Sequence, residues 1–277
     1  MSVPVGIMQG RLLPPFEGRF QAFPAADWRR EFARAAEAGL ACIEWIYEMP
    51  HADVNPLGSD AGLAEIAALA AATGVAVRSI CADAFMTDPL VGPDARPVPR
   101  ALDRLSWLCG RAAALGATYV VLPFVDSSSL SPARADAAIR ILRRAAPAAR
   151  EANLELHVEC DLAPDRFRAF LEAVDAPNVK ANFDIGNSAA LGYDPEREMA
   201  AIGPYLGSVH VKDRLRGGGT RPLGTGDADL PRALAAVRRA GFARWLILQA
   251  ARGSDGDEAA LAAANRRLVQ DLWDSGE

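Results

Sequence analysis

Short hydrophobic runs alternate with longer amphipathic segments eight times along the chain. The runs have the length and aliphatic content of buried strands, and the segments between them are long enough for helices. The predicted strands are Val3–Met8, Ala41–Ile46, Val75–Ile80, Thr118–Leu122, Leu154–Glu159, Val179–Asp184, Ser208–Val211 and Trp245–Gln249. The predicted helices are Trp28–Ala38, Gly62–Ala72, Arg100–Leu115, Pro132–Glu151, Pro164–Val174, Pro195–Ile202, Leu230–Ala240 and Glu258–Asp274.

The boundaries of these segments carry residues that start and stop helices. Ser131-Pro132 and Asp194-Pro195 combine an N-cap side chain with proline at the first helical position. A glycine separates helix from strand at four places, namely Gly39, Gly74, Gly116 and Gly241. Regular alternation of strand and helix favours an α/β fold with parallel strands. We therefore predict a (β/α)₈ TIM barrel forming a single domain over residues 1–277.

Alternation within the later strands separates an apolar face from a polar one. In the run Leu154–Glu159, the side chains of Glu155, His157 and Glu159 share one face. The next three strands show the same alternation. Because a barrel strand turns an apolar face towards its covering helices, the polar faces are predicted to point inward. Buried polar groups need partners, so pairing or ligation is expected there.

These four strands end on residues that can bind a metal. Their last polar residues are Glu159, Asp184, His210 and Gln249. Parallel barrel strands bring their carboxyl ends to one rim, so the four side chains should meet. Two carboxylates, an imidazole and an amide oxygen suit a divalent cation better than a packed core. The alternative is a buried hydrogen-bond network without metal.

Composition narrows the class of protein. The chain has 277 residues, is 51% hydrophobic and carries a net charge of −5. No long basic run exists, so nucleic acid is not an expected partner. No apolar stretch is long enough to span a bilayer, and the four cysteines form no C-x-x-C pair. We expect a cytoplasmic protein without a membrane partner.

Several rim residues are candidates for contact with a substrate. Glu44 lies in the second predicted strand. It would either contact substrate or support the metal ligands at the rim, or pair with Arg11 or another cation there. His157 lies one layer below Glu159 on the inward face of the same strand. We expect it to belong to the substrate-binding region and to support the metal ligands by hydrogen bonding. Lys212 and Arg252 lie just past strand ends, where they could neutralise an oxyanion or phosphate.

Glycines in the loop after the seventh strand form a further candidate feature. Gly217–Gly219, Gly224 and Gly226 could offer backbone N–H groups to a phosphate.

Six motifs together resemble one known family. They are GIMQGRL at Gly6–Leu12, ACIEW at Ala41–Trp45, HVEC at His157–Cys160, NFDIGN at Asn182–Asn187, HVKD at His210–Asp213 and PLGTGDADL at Pro222–Leu230. In these the chain resembles the sugar phosphate isomerase/epimerase superfamily, the xylose isomerase-like TIM barrels, over nearly its whole length. Members of that family bind one divalent metal through Glu, Asp, His and Glu.

The resemblance assigns roles to individual positions. It places the metal ligands at Glu159, Asp184, His210 and Gln249. The spacing from His210 to Arg216 matches one in which the arginine helps to hold substrate. Asn187 occupies a position where some epimerases carry a histidine.

Gln249 departs from the family pattern. The two-base epimerases carry a carboxylate there that binds metal and moves a proton. An amide oxygen can still be a ligand, but an amide cannot act as a base.

The sequence therefore predicts a metal-dependent isomerase or epimerase of a small carbohydrate, polyol or sugar phosphate. Glu159 is the predicted proton-transferring base, working through a metal-bound enediolate. The cofactor is predicted to be one Mn²⁺, Mg²⁺ or Zn²⁺ ion, and a homo-oligomer is compatible with the sequence. Two alternatives stay open: a metal-dependent lyase, dehydratase or hydrolase, and a non-catalytic sugar-binding barrel.

Overall fold

The computed structural model describes residues 2–253 and 256–275. The strands are β1 Val5–Met8, β2 Cys42–Ile46, β3 Ala76–Cys81, β4 Tyr119–Phe124, β5 Glu155–Cys160, β6 Val179–Asp184, β7 Leu206–Val211, β8 Asp213–Arg214, β9 Thr220–Arg221 and β10 Leu246–Leu248. The α-helices are α1 Arg30–Glu37, α2 Asp60–Thr73, α3 Ala84–Thr87, α4 Pro99–Leu115, α5 Pro132–Glu151, α6 Pro164–Val174, α7 Ile185–Leu191, α8 Pro195–Ile202, α9 Leu230–Arg239 and α10 Glu258–Ser275.

Eight parallel strands close into a barrel in the order β1-β10-β7-β6-β5-β4-β3-β2. The predicted (β/α)₈ architecture is confirmed, because helices lie between successive barrel strands. Strands β8 and β9 lie outside the barrel and form a short antiparallel hairpin after β7. None of the helices in the described part of the chain is both long and apolar enough to cross a membrane.

The predicted helix boundaries have the expected local chemistry. The Ser131 side chain accepts a hydrogen bond from the backbone N–H of Arg134, and Asp194 accepts from two N–H groups of α8. Gly74 and Gly116 adopt left-handed backbone conformations after α2 and α4. Such conformations strain residues with a Cβ, so glycine allows the chain to turn sharply towards the next strand.

Three short elements were not predicted from the sequence. Helix α3 begins shortly after β3 ends, helix α7 follows β6 directly, and the β8–β9 hairpin follows β7. Each is too short to show a helical or strand period. All three lie at the carboxyl ends of the barrel strands, where barrel active sites are built.

The polar inward faces predicted for the later strands are found, and the polar groups of β5 are paired. Leu156 and Val158 of β5 are fully buried on the side of the covering helices. His157, on the opposite face, is also fully buried and stacks on the Tyr119 ring with centroids 4.0 Å apart. Its Nδ1 lies 2.8 Å from the Ser208 hydroxyl. The barrel interior is therefore a packed polar and aromatic layer beneath the open mouth.

Close packing between the first two strands depends on a glycine. A Cβ added at Gly6 would lie 2.9 Å from the carbonyl oxygen of Cys42 and 2.9 Å from Cδ1 of Ile247, and would also strike the Cys42 thiol. The carbonyl belongs to the barrel backbone and cannot move without disturbing the β1–β2 pairing.

We predict that Gly6→Ala lowers the free energy of unfolding by about 1–3 kcal/mol, because overpacking forces the strands apart. Gly110→Ala is the matched control. Position 110 lies inside α4 with no atom within 4 Å of an added Cβ, so alanine should stabilise by about 0.5–1 kcal/mol. Urea unfolding of both variants measures the difference, and equal stability changes would contradict the packing argument.

Candidate metal centre

Three side chains at the ends of neighbouring strands converge at the barrel mouth. Glu159, Asp184 and His210 each offer one ligand atom, and these atoms lie within 4.8 Å of one another. All three residues are buried, with exposures of 6%, 4% and 0%. The convergence follows from the parallel pairing of β5, β6 and β7, which brings their carboxyl ends to one rim.

The imidazole of His210 is held so that one ring nitrogen faces this cluster. Its Nε2 lies 2.7 Å from Oε1 of Glu44, whose Oε2 accepts a hydrogen bond from the Ser79 hydroxyl at 2.6 Å. Its Nδ1 is buried, has no hydrogen-bond partner among the described residues, and lies 3.9 Å from Oδ2 of Asp184. A carboxylate behind an imidazole orients many metal-binding histidines. The unpartnered Nδ1 therefore fits a cation held between Glu159, Asp184 and His210.

The electrostatic balance of His210 agrees with this arrangement. Burial lowers its pKa, but the carboxylates of Glu44, Glu159 and Asp184 together outweigh burial and raise the pKa to about 9. The site therefore favours positive charge at this ring. A divalent cation at Nδ1 would supply that charge and displace the proton.

Glu159 combines a place in the cluster with the properties of a proton-transfer group. Its Oε1 accepts a hydrogen bond from Nδ2 of Asn187 at 2.7 Å. Burial, followed by the charge of Asp184, raises its pKa to about 7. A carboxyl group with a pKa near neutrality can both accept and return a proton.

Gln249 lies beside the three-residue cluster and is held by other side chains. Its Oε1 accepts from Nζ of Lys212 at 3.3 Å, and its Nε2 donates to Oε1 of Gln21 at 2.7 Å. The same Lys212 ammonium lies 3.4 Å from Oδ2 of Asp184 and 3.3 Å from Oδ1 of Asn187. Gln249 as a fourth metal ligand stays a prediction.

A cavity of about 290 Å³ opens above the cluster at the barrel mouth. The second half of the chain contributes Glu159, Asn187, Lys212, Arg214 and Gln249 to its lining. The first half contributes residues from the loops after the first three strands and from the β4 end, among them Arg19, Gln21, Glu48, Asp83, Pro123 and Asp126. The volume suits a small polar molecule.

Two arginines predicted to contact substrate lie elsewhere. Arg216 lines a separate cavity of about 560 Å³ together with Glu198 and Arg232. Arg252 donates to the carbonyl oxygens of Gly10, Leu13 and Phe20 and so fixes the loop after β1. The structure brings neither guanidinium to the metal cluster.

Arg214, rather than Arg216, lines the mouth cavity. It lies on β8, opposite Thr220 of β9, and its Nη1 donates to Oδ1 of Asn187 at 2.8 Å. The hairpin turns this side chain inward and carries Arg216 past the rim. Lys212, Arg214 and Arg216 alternate along the sequence after the seventh strand, and this spacing alone could not show which arginine lines the cavity.

Glu44 and His157 lie below the cavity and do not line it. Glu44 is fully buried between His210 and Ser79, which fits the alternative of supporting a metal ligand and not the pairing with Arg11. Arg11 donates instead to Gln21 at 3.0 Å. His157 bonds to Ser208 and, through Nε2, to Glu155 at 2.9 Å. Direct substrate contact by either residue does not fit these positions.

The glycine-rich loop serves an internal carboxylate. The backbone N–H groups of Gly224 and Gly226 both donate to Oδ2 of Asp213 at 2.9 Å, and that of Ala228 donates to Oδ1 at 3.1 Å. Asp213 is fully buried. These donors are therefore already satisfied, and the expected phosphate cradle is not available at these positions.

Sequence reasoning missed the wall of the cavity that comes from the first half of the chain. Gln21 and Asp83 lie on it, joined by a hydrogen bond of 2.7 Å from Nε2 to Oδ2. Arg19 and Glu48 lie beside them as a bidentate pair. The signal available in the sequence was that the loops after the first three strands are long.

Comparison with known proteins identifies the family. A family model described as xylose isomerase-like TIM barrel matches residues 32–271. The chain belongs to this family, which confirms the resemblance drawn from the sequence motifs. No curated protein sequence matches the chain.

Solved structures with the same fold include two proteins with a bound metal ion and one epimerase. A xylose isomerase-like TIM barrel protein from Mycobacterium smegmatis in complex with magnesium is 22% identical, with a TM-score of 0.72 and coverage of 100% of this chain and 98% of that one. An L-ribulose 3-epimerase is 19% identical, with a TM-score of 0.75 and coverage of 100% and 96%. The IOLI protein with a bound zinc atom is 14% identical, with a TM-score of 0.73 and coverage of 100% and 99%. At these identities the likeness shows the fold.

We predict that Glu44→Gln weakens Mn²⁺ binding about 10–100-fold, because the neutral amide supports the His210 imidazole less well than a carboxylate. Calorimetric titration of metal-free protein with Mn²⁺ measures the dissociation constant. Glu48→Gln is the matched control, since Glu48 pairs with Arg19 and has no contact with His210. Equal affinities for wild type and Glu44→Gln would contradict the proposed orientation of the ring.

Proposed function

We propose that the protein is a metal-dependent epimerase or isomerase of a small carbohydrate. The single observation that carries this proposal is the buried, unpartnered Nδ1 of His210 facing the carboxylates of Glu159 and Asp184. Family membership and the epimerase among the structural neighbours support it. A divalent metal bound here would polarise a substrate carbonyl and acidify the adjacent C–H bond.

Glu159 is the proton-transfer group in this proposal. Burial and the neighbouring charge of Asp184 raise the pKa of this carboxyl group, which makes it a stronger proton acceptor than an exposed glutamate. The hydrogen bond from Asn187 fixes one of its oxygens and so orients the other. Glu159 therefore removes a proton from the carbon next to the carbonyl and returns one to the substrate.

Two cations prepare the cavity for negative charge that develops on substrate oxygens. Lys212 Nζ lies at the cavity wall between Asp184 and Gln249. Arg214 is held by Asn187 and by the carbonyl oxygen of Gly218. Preorganised positive charge in a site with little water stabilises an oxyanion more than it stabilises the neutral carbonyl.

The substrate in this proposal is unphosphorylated. The backbone donors of the glycine-rich loop are committed to Asp213, so they offer nothing to a phosphate. Arg19 forms a bidentate pair with Glu48. A neutral keto-sugar or polyol-like molecule with a carbonyl beside a hydroxyl group fits this balance of charge.

We predict that Glu159→Gln abolishes exchange of the substrate C–H with solvent and lowers kcat/KM by at least about 10²-fold, since an amide cannot accept the proton. The assay incubates Mn²⁺-loaded protein with a panel of ketoses and aldoses in D₂O and follows deuterium incorporation and product formation by NMR. Exchange without loss of water supports isomerisation or epimerisation over dehydration.

Glu151→Gln is the matched control, because this exposed residue at the end of α5 is distant from the barrel mouth. Metal content measured on each variant separates loss of the ion from loss of the base. Equal turnover by wild type and Glu159→Gln would overturn the proposed function.

A further inference from the structure

Inversion at a carbon atom needs proton-transfer groups on both faces of the substrate, and Glu159 supplies only one. The two-base epimerases that this chain resembles carry a second carboxylate on the eighth barrel strand. This chain has Gln249 at that position, and an amide is not a base. The following inference rests on the proposed function and asks which residue takes the second role.

Among the described residues, three carboxylates besides Glu159 line the mouth cavity, namely Glu48, Asp83 and Asp126. Two of them are unsuitable as a second proton-transfer group. Glu48 accepts from both Nη atoms of Arg19, at 2.6 and 2.9 Å, and from the backbone N–H of Phe23 at 2.7 Å. These charge-assisted hydrogen bonds commit the Glu48 carboxylate to Arg19. Asp126 is exposed, so solvent rather than protein surrounds its carboxylate.

Asp83 differs from both in its surroundings. It lies two residues past the end of β3, just before helix α3, and lines the cavity together with Glu159 and Gln249. Its Oδ2 accepts from Nε2 of Gln21 at 2.7 Å, and its Oδ1 accepts from the Cys81 thiol at 3.2 Å. No lysine or arginine in the described ranges forms an ion pair with it.

A chain of hydrogen bonds joins Asp83 to the position of the missing carboxylate. Gln249 Nε2 donates to Gln21 Oε1 at 2.7 Å, and Gln21 Nε2 donates to Asp83 Oδ2 at 2.7 Å. The amide at the end of β10 thus orients Gln21, and Gln21 orients the carboxyl group of Asp83. Arg11 donates to the same Gln21 oxygen and fixes the amide further.

From this geometry we infer that Asp83 is the second acid–base residue of the proposed reaction, acting on the substrate face opposite Glu159. In one direction the Glu159 carboxylate takes the proton from the carbon next to the carbonyl. The protonated carboxyl of Asp83 then gives a proton to the same carbon from the other face. The C–H bond broken and the C–H bond formed balance, and the two carboxyl groups exchange protonation states. Exchange with solvent, or turnover in the reverse direction, restores both.

The environment of Asp83 is compatible with the proton-carrying role. Burial raises the pKa of its carboxyl group, and hydrogen bonds from Gln21 and Cys81 reverse this only in part. Both protonation states are therefore closer in energy than for an exposed aspartate.

The test compares exchange of the two epimers in D₂O, using the sugar that the wild type converts fastest. With Asp83→Asn, the epimer whose C–H faces Glu159 should still exchange within about threefold of the wild-type rate. Exchange of the other epimer, and net epimerisation, should fall by at least about 10²-fold. Asparagine keeps an acceptor for Gln21, so the hydrogen-bond chain is preserved. Asp136→Asn, an exposed position on α5, is the matched control.

The outcomes separate the two levels of the proposal. If the wild type neither exchanges nor converts any sugar in the panel, the proposed function fails and the role of Asp83 fails with it. If the wild type is active and Asp83→Asn converts both epimers normally, only the role of Asp83 fails. Equal loss of exchange for both epimers, with unchanged Tm and Mn²⁺ content, would show that Asp83 is a positioning residue and contradict the inference.

A second variant distinguishes loss of the carboxyl group from a folding defect. Asp83→Ala should lose the same one-sided exchange and recover part of it when formate is added, because formate can occupy the vacated space as a mobile carboxylate. Failure of formate to restore any exchange in folded Asp83→Ala would contradict an acid–base role.

Discussion

The hydrogen bond between Glu44 and His210 is the contact on which the site depends. It joins strands that lie on different sides of the barrel, over a distance of 2.7 Å, with both side chains fully buried. A buried carboxylate without a partner is unfavourable by several kcal/mol, so Glu44 strongly restrains the imidazole. That restraint leaves Nδ1 directed at Glu159 and Asp184, and a cation there satisfies all three groups at once. Without this bond the histidine ring could rotate and the cluster would lose its third member.

Charge at the mouth of the barrel is arranged in two layers. Below, His210 and Glu44 compensate each other. Above, Lys212 faces Asp184 and Gln249, so that only part of the negative charge of the cluster is available to a cation. At the rim, Lys212 and Arg214 line the cavity. At position 249 the amide oxygen accepts a hydrogen bond from Lys212.

The sequence predicts the fold and the centre of the site well, and the wall of the site poorly. Strand ends are predictable because alternation and parallel pairing place Glu159, Asp184 and His210 on one rim. The contact between Glu44 and His210 was not specifically predicted, because it joins residues 166 positions apart through the closure of the barrel. The positions of the two arginines after β7 could not be predicted either. Arg214 and Arg216 look equivalent in the sequence. In the structure Arg214 lies on β8, which pairs with β9, and it is Arg214 that lines the cavity.

The account is tested most directly by anomalous scattering from crystals of the Mn²⁺-loaded protein. It predicts one strong peak at the barrel mouth, about 2.0–2.2 Å from a carboxylate oxygen of Glu159, a carboxylate oxygen of Asp184 and Nδ1 of His210. The Nε2 atom of His210 should remain bonded to Glu44. A mouth without a peak, or a His210 ring turned away from a bound ion, would contradict the central claim.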